Sequence, residues 1–130
     1  MADEIVEQRV RDGDIWLSYV RRDFQDVLLH NPTPMSQEVL ATFPASSADE
    51  TLRGQRLDAA ERYLAGHKEV GWRVRLEDAG TMGPEYLLEF GRVMSVDDKG
   101  NATVDFECDD LPPAEVRAGW LAVDLPSIWP

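Results

Sequence analysis

Side chains able to do chemistry are few in this sequence, and they are scattered. The histidines are His30 and His67, the only thiol is Cys108, and neither imidazole has a plausible nucleophile nearby in the chain to activate as a base. Both histidines fall where helices are expected to end, and there an imidazole commonly serves free carbonyls. One cysteine and two distant histidines cannot supply a structural zinc site. No catalytic residue, metal or cofactor is expected.

Carboxylates are the abundant groups. Asp97, Asp98, Asn101, Asp105, Glu107, Asp109 and Asp110 gather oxygens around one expected hairpin, but the spacing lacks the alternating acids, glycine and closing glutamate of a calcium loop. A solvated acidic edge is the simpler reading. Glu77, Glu85 and Glu89 could meet across adjacent strands as an acid and base pair, although a chain that is one fifth acid makes such pairs by chance. Gly80 and Gly83 lack the Lys-Ser or Lys-Thr that follows a phosphate-cradling loop, so nucleotide binding is not expected.

Two features are left to carry a function. Met94–Asp110 holds six acids against the single base Lys99, a net charge of −5. The aromatics Trp72, Tyr86, Phe90, Trp120 and Trp129 fall in or beside the same region. Alternation assigns Trp72 and Phe90 to the core, whereas Trp120 and Trp129 remain available to a partner. The expected contact set is Asp97, Asp98, Asp105, Glu107, Asp109, Asp110, Trp120 and Trp129.

The elements that must position these groups are read from periodicity. From Asp3 to about Leu29 the apolar residues recur at three- and four-residue steps, which predicts helix with a break at Asp12-Gly13-Asp14. Pro32 ends that segment, and a short helix is expected from about Thr33 to Phe43-Pro44, with Thr33 as cap or Met35 and Leu40 as a staple. Ser47-Ala48-Asp49-Glu50 reads as a capping box opening a third helix that stops at Gly66.

Period two takes over after Gly71. Trp72, Val74 and Leu76 predict a strand, residues 78–84 a loop, and Tyr86, Leu88 and Phe90 a second strand, with a bulge or bend at Gly91. A hairpin is expected over 92–108, turning at Asp97–Asn101, with Cys108 buried beside Val104 and Phe106. A last β segment covers about 115–125, after which Ile128 and Trp129 are open to two uses, pinning the tail on the core or, for Trp129, meeting a partner.

The fold class that follows is α+β: about three N-terminal helices packed on a C-terminal antiparallel sheet or small SH3-like barrel of about four strands. One domain is expected over 1–130, helical over about 3–68 and β over about 71–125, since a chain of 130 residues needs only one core. The strand, loop, hairpin, strand order resembles the SH3-like barrels that unrelated proteins use for docking, a likeness confined to residues 71–125.

The net charge of −12, from 25 acids and 13 bases, opposes approach to phosphate backbones and anionic lipid. The acidic start Met1-Ala2-Asp3-Glu4 and the lack of a long apolar run predict a cytoplasmic protein. The expected function is a non-enzymatic adaptor that holds a partner protein with a basic surface, without direct nucleic-acid or membrane contact and with homo-oligomers allowed. The alternatives are a DNA-mimic inhibitor of a DNA-binding protein and a small-molecule-binding domain or small enzyme with a pocket between helices and sheet.

Overall fold

The computed structural model describes residues 4–44 and 49–130. They are mostly β, with nine strands in two antiparallel sheets and one α-helix between them in the chain. The chain divides into two compact units, Met1–Glu61 with Trp129–Pro130, and Arg62–Ile128.

In the first unit β1 (Glu4–Arg11), β2 (Asp14–Arg22), β3 (Gln25–His30) and β4 (Glu38–Pro44) form a meander in the order β1-β2-β3-β4. The expected fold class is therefore corrected, because strands occupy the two segments read as the first helices. Three physical causes produced the helical spacing. Leu17–Val20 on β2 and Asp26–His30 on β3 are buried without alternation, and strands covered on both faces lose their period of two. Register shifts between Ile5 and Glu7 and between Arg9 and Val10 reset the parity of the β1–β2 pair. Asp12-Gly13 does interrupt the first segment, but as a hairpin turn with φ of 54° and 84°, the left-handed pair that Asp-Gly supplies. Asp23, at φ 53°, turns β2 into β3.

Thr33 caps no helix. Its backbone carbonyl accepts from the Ser36 amide at 3.2 Å in a turn that leads into β4. The only α-helix among the described residues is α1 (Glu50–Leu64), with Leu57, Ala59 and Ala60 buried. The expected capping serine, Ser47, and Ala48 lie outside the described residues; Asp49 Oδ1 accepts from the Leu52 amide at 2.8 Å and does the capping. The helix stops at Gly66, φ 80°, where the His67 amide donates to the Arg62 carbonyl in a Schellman-type closure. His67 thus lies at a helix end as expected, whereas His30 lies at the end of β3.

The second unit holds β5 (Arg73–Leu76), β6 (Phe90–Val96), β7 (Asn101–Phe106), β8 (Ala114–Arg117) and β9 (Leu121–Val123) in the order β8-β7-β6-β5-β9. Val74, Leu76, Val93, Ala102, Val104, Phe106, Val116 and Leu121 form its core. β6 and β7 make the hairpin read over 92–108, paired from Gly91 with Phe106 to Val96 with Ala102. Gly91 is required by close packing, since a Cβ there would sit 2.5 Å from Val104 Cγ1 and 2.7 Å from the Asp105 carbonyl oxygen.

Two strand expectations in this unit are corrected. Pro84–Tyr86 is a 3₁₀ turn and Leu88 takes φ 65°, so the strand expected through Tyr86 starts only at Phe90. The last segment is split by a 3₁₀ turn at Ala118–Trp120 into β8 and β9, giving five strands where about four were expected. Cys108 lies beyond β7 and is half-buried. No helix among the described residues is long and apolar enough to cross a membrane.

Candidate functional site

The β6–β7 hairpin separates the acidic residues that the sequence groups together. β7 is six residues long, or roughly 20 Å. Asp97 and Asp98 therefore stand at the turn, Glu107, Asp109 and Asp110 at the opposite end, and Asp105 between them, in register with Arg92 of β6.

The carboxylates also differ in how they are used. Asp97 Oδ1 accepts from the Lys99 and Asn101 amides, each at 2.9 Å, and Oδ2 accepts from Asn101 Nδ2 at 3.2 Å. These donors, the Asn101 amide foremost, hold its carboxyl below the usual range, and Gly100 at φ 86° completes the turn. Glu107 receives a two-pronged bond from Arg73, Nε to Oε2 and Nη2 to Oε1, both 2.8 Å. Arg73 Nη1 also donates to Asp124 at 2.9 Å, and the guanidinium covers the Phe90 ring at 3.9 Å. The arginine holds the Glu107 carboxyl low, and hydrogen bonds from Arg73 to Glu107 and Asp124 raise its own pKa. By contrast, Asp98, Asp105, Asp109 and Asp110 are exposed and make no ion pair with the described residues.

Trp120 lies against the turn end of this hairpin. It lines an open cleft of about 590 Å³ with Lys99, Gly100, Asn101, Arg117 and Gly119. Two local features build the cleft: Asn101 is in register with Arg117 at the end of β8, and the Ala118 amide donates to the Gly100 carbonyl at 2.9 Å. The six-membered ring of the indole packs against the loop at Gly80, where a Cβ would sit 2.3 Å from Trp120 Cη2. Arg117 lies 6.0 Å from the indole centroid. The structure thus brings Trp120 together with the turn that carries Asp97 and Asp98. Asp109 and Asp110 are at the far end, and Trp129 belongs to the first unit, where its ring meets Phe43 edge-on at 5.8 Å.

Sequence reasoning missed the buried polar group of the first unit. Asp26, fully buried on β3, accepts from Arg21 Nε at 3.0 Å and from the Tyr19 hydroxyl at 3.3 Å. Arg56 of α1 donates to the same hydroxyl at 2.7 Å and lies over the Phe43 ring at 3.8 Å. Burial pushes the Tyr19 phenol up, against the pull of the Arg56 hydrogen bond. Asp26 shares no motif with Tyr19, and only the β2–β3 register brings Arg21 opposite it.

His30 Nδ1 is 2.5 Å from Glu38 Oε1, with the Trp16 ring edge-on. Among the described residues no three His, Cys, Asp or Glu side chains gather closely enough to hold a metal ion. Comparison of the chain with protein-family models, with curated proteins and with solved structures finds no match in any of the three.

Proposed function

We propose that this chain is a non-enzymatic interaction domain, working in the cytoplasm, that holds a partner protein along the β6–β7 hairpin. The observation that carries the reading is a half-exposed tryptophan, Trp120, at one end of a hairpin whose Asp98, Asp105, Asp109 and Asp110 have no ion pair among the described residues. Unpaired acids along a strand pair offer a basic partner surface both steering and contact. The single unpaired thiol, Cys108, suits a reducing compartment.

The test is capture of a partner from native lysate by the wild-type chain and by a variant with Asp98, Asp105, Asp109 and Asp110 changed to lysine, at low and moderate salt. One stoichiometric partner, held by the wild type at low salt and released by salt or by the variant, is expected, because exposed charges are screened within about 8 Å at physiological ionic strength. Capture that survives charge reversal removes the reading. Asp97 and Glu107 are left out of the variant because their carboxylates already serve the turn and Arg73.

A further inference from the structure

We infer that the cleft beside Trp120 takes an acidic peptide segment of the partner, with an aliphatic side chain on the indole and carboxylates on Lys99 and Arg117. This rests on the docking reading above and names the chemistry of one end of it. Five bases lie between residues 71 and 128, against twelve acids. Arg73 and Arg75 are paired with carboxylates, and Arg92 Nη1 donates to the Gly71 carbonyl at 3.0 Å. Lys99 and Arg117 have no carboxylate partner among the described residues, and both line the same cleft, together with Trp120.

The cleft lining holds two cations and no carboxylate, with Asp97 and Asp98 in the same turn just outside it. A guanidinium beside an indole offers a carboxylate two parallel donors while the ring takes an apolar neighbour. The far end of the hairpin has the opposite sign at Asp109 and Asp110. An acidic stretch of the partner thus enters the cleft at Lys99 and Arg117, while its basic surface meets Asp98, Asp105, Asp109 and Asp110 outside the cleft.

The experiment uses the full chain and a fluorescein-labelled octapeptide of alternating leucine and glutamate, with its leucine-glutamine counterpart as control, followed by fluorescence anisotropy. The glutamate peptide is expected to bind, and the Lys99→Gln, Arg117→Gln double variant to weaken it by about three- to tenfold. An unchanged far-ultraviolet spectrum and unfolding midpoint exclude a folding defect. Failure of the glutamate peptide to bind, equal binding of the glutamine peptide, or no effect of the double variant overturns the inference. So does equal competition by free succinate, which would make the cleft a small-anion site. Partner capture that depends on Asp109 and Asp110 but is indifferent to the double variant would sink this inference and leave the adaptor reading standing.

Discussion

Tyr19→Phe tests whether the buried polar group of the first unit stabilises it. The ring stays, with its stacking on Phe43, whose centroid is 6.4 Å away, and only the hydroxyl is lost. That oxygen accepts from Arg56 at 2.7 Å and donates to Asp26 at 3.3 Å, and both partners are buried, with relative exposures of 9% and 0%. Asp26 keeps its bond from Arg21 Nε, so the larger loss falls on Arg56, whose Nε has no partner among the described residues. A charge-assisted bond contributes about 1.5–3 kcal/mol, and the weaker one to Asp26 brings the expected cost to about 2–3 kcal/mol. With a urea slope of about 1–3 kcal/mol per molar, the midpoint should fall by roughly 0.7–3 M. Tyr63→Phe on α1, where no hydroxyl bond is found among the described residues, is the control and should cost below about 0.5 kcal/mol. Urea unfolding followed by tryptophan fluorescence reads both variants. Equal midpoints would refute the claim that the buried hydroxyl stabilises the fold.

Gly91→Ala should destabilise the chain by about 1–3 kcal/mol in the same assay, because a Cβ at 2.5 Å from Val104 Cγ1 and 2.7 Å from the Asp105 carbonyl oxygen forces the β6–β7 ladder apart. An unchanged midpoint would show that the ladder relaxes freely. Glu107 sets a pH dependence: its folded carboxyl lies below the usual 4.5, so its stabilisation is complete above that value and fades as pH falls through the folded value. Glu107→Gln should lower the thermal midpoint at pH 7 and converge with the wild type in the acid limb. Parallel curves across the whole range would mean that the Arg73 pair stabilises nothing.

The second unit was more legible in the sequence than the first. Val74 and Leu76 alternate with exposed or half-exposed neighbours because their sheet has one covered face, and the Asp97–Asn101 turn is marked by glycine and by its own acid. The first unit defeats periodicity because Leu17, Ser18, Tyr19 and Val20 are all buried. The missed signal was local: Asp12-Gly13 is turn chemistry, and a hairpin there would have argued against helix on both sides. At the candidate site, the acids and Trp120 could be picked out by type. Their separation along β7, the capture of Asp97 and Glu107, and the Lys99 and Arg117 cleft depend on register and on non-local pairing, which composition does not carry.

The register shift at Val6 of β1 bears on how the chain behaves at high concentration. β1 is an edge of its sheet, and an unbroken edge is a template on which a second molecule can add a strand. Here Val6 is an extra residue on β1 between the pairs made by Ile5 and Glu7, so the edge is interrupted there, and the stretch that follows, Glu7–Arg11, carries three charges at Glu7, Arg9 and Arg11. A bulged and charged edge of this kind is a poor template for the stacked strands of a fibril. A chain built almost wholly of strands thus has, at this edge, a safeguard against growing into one.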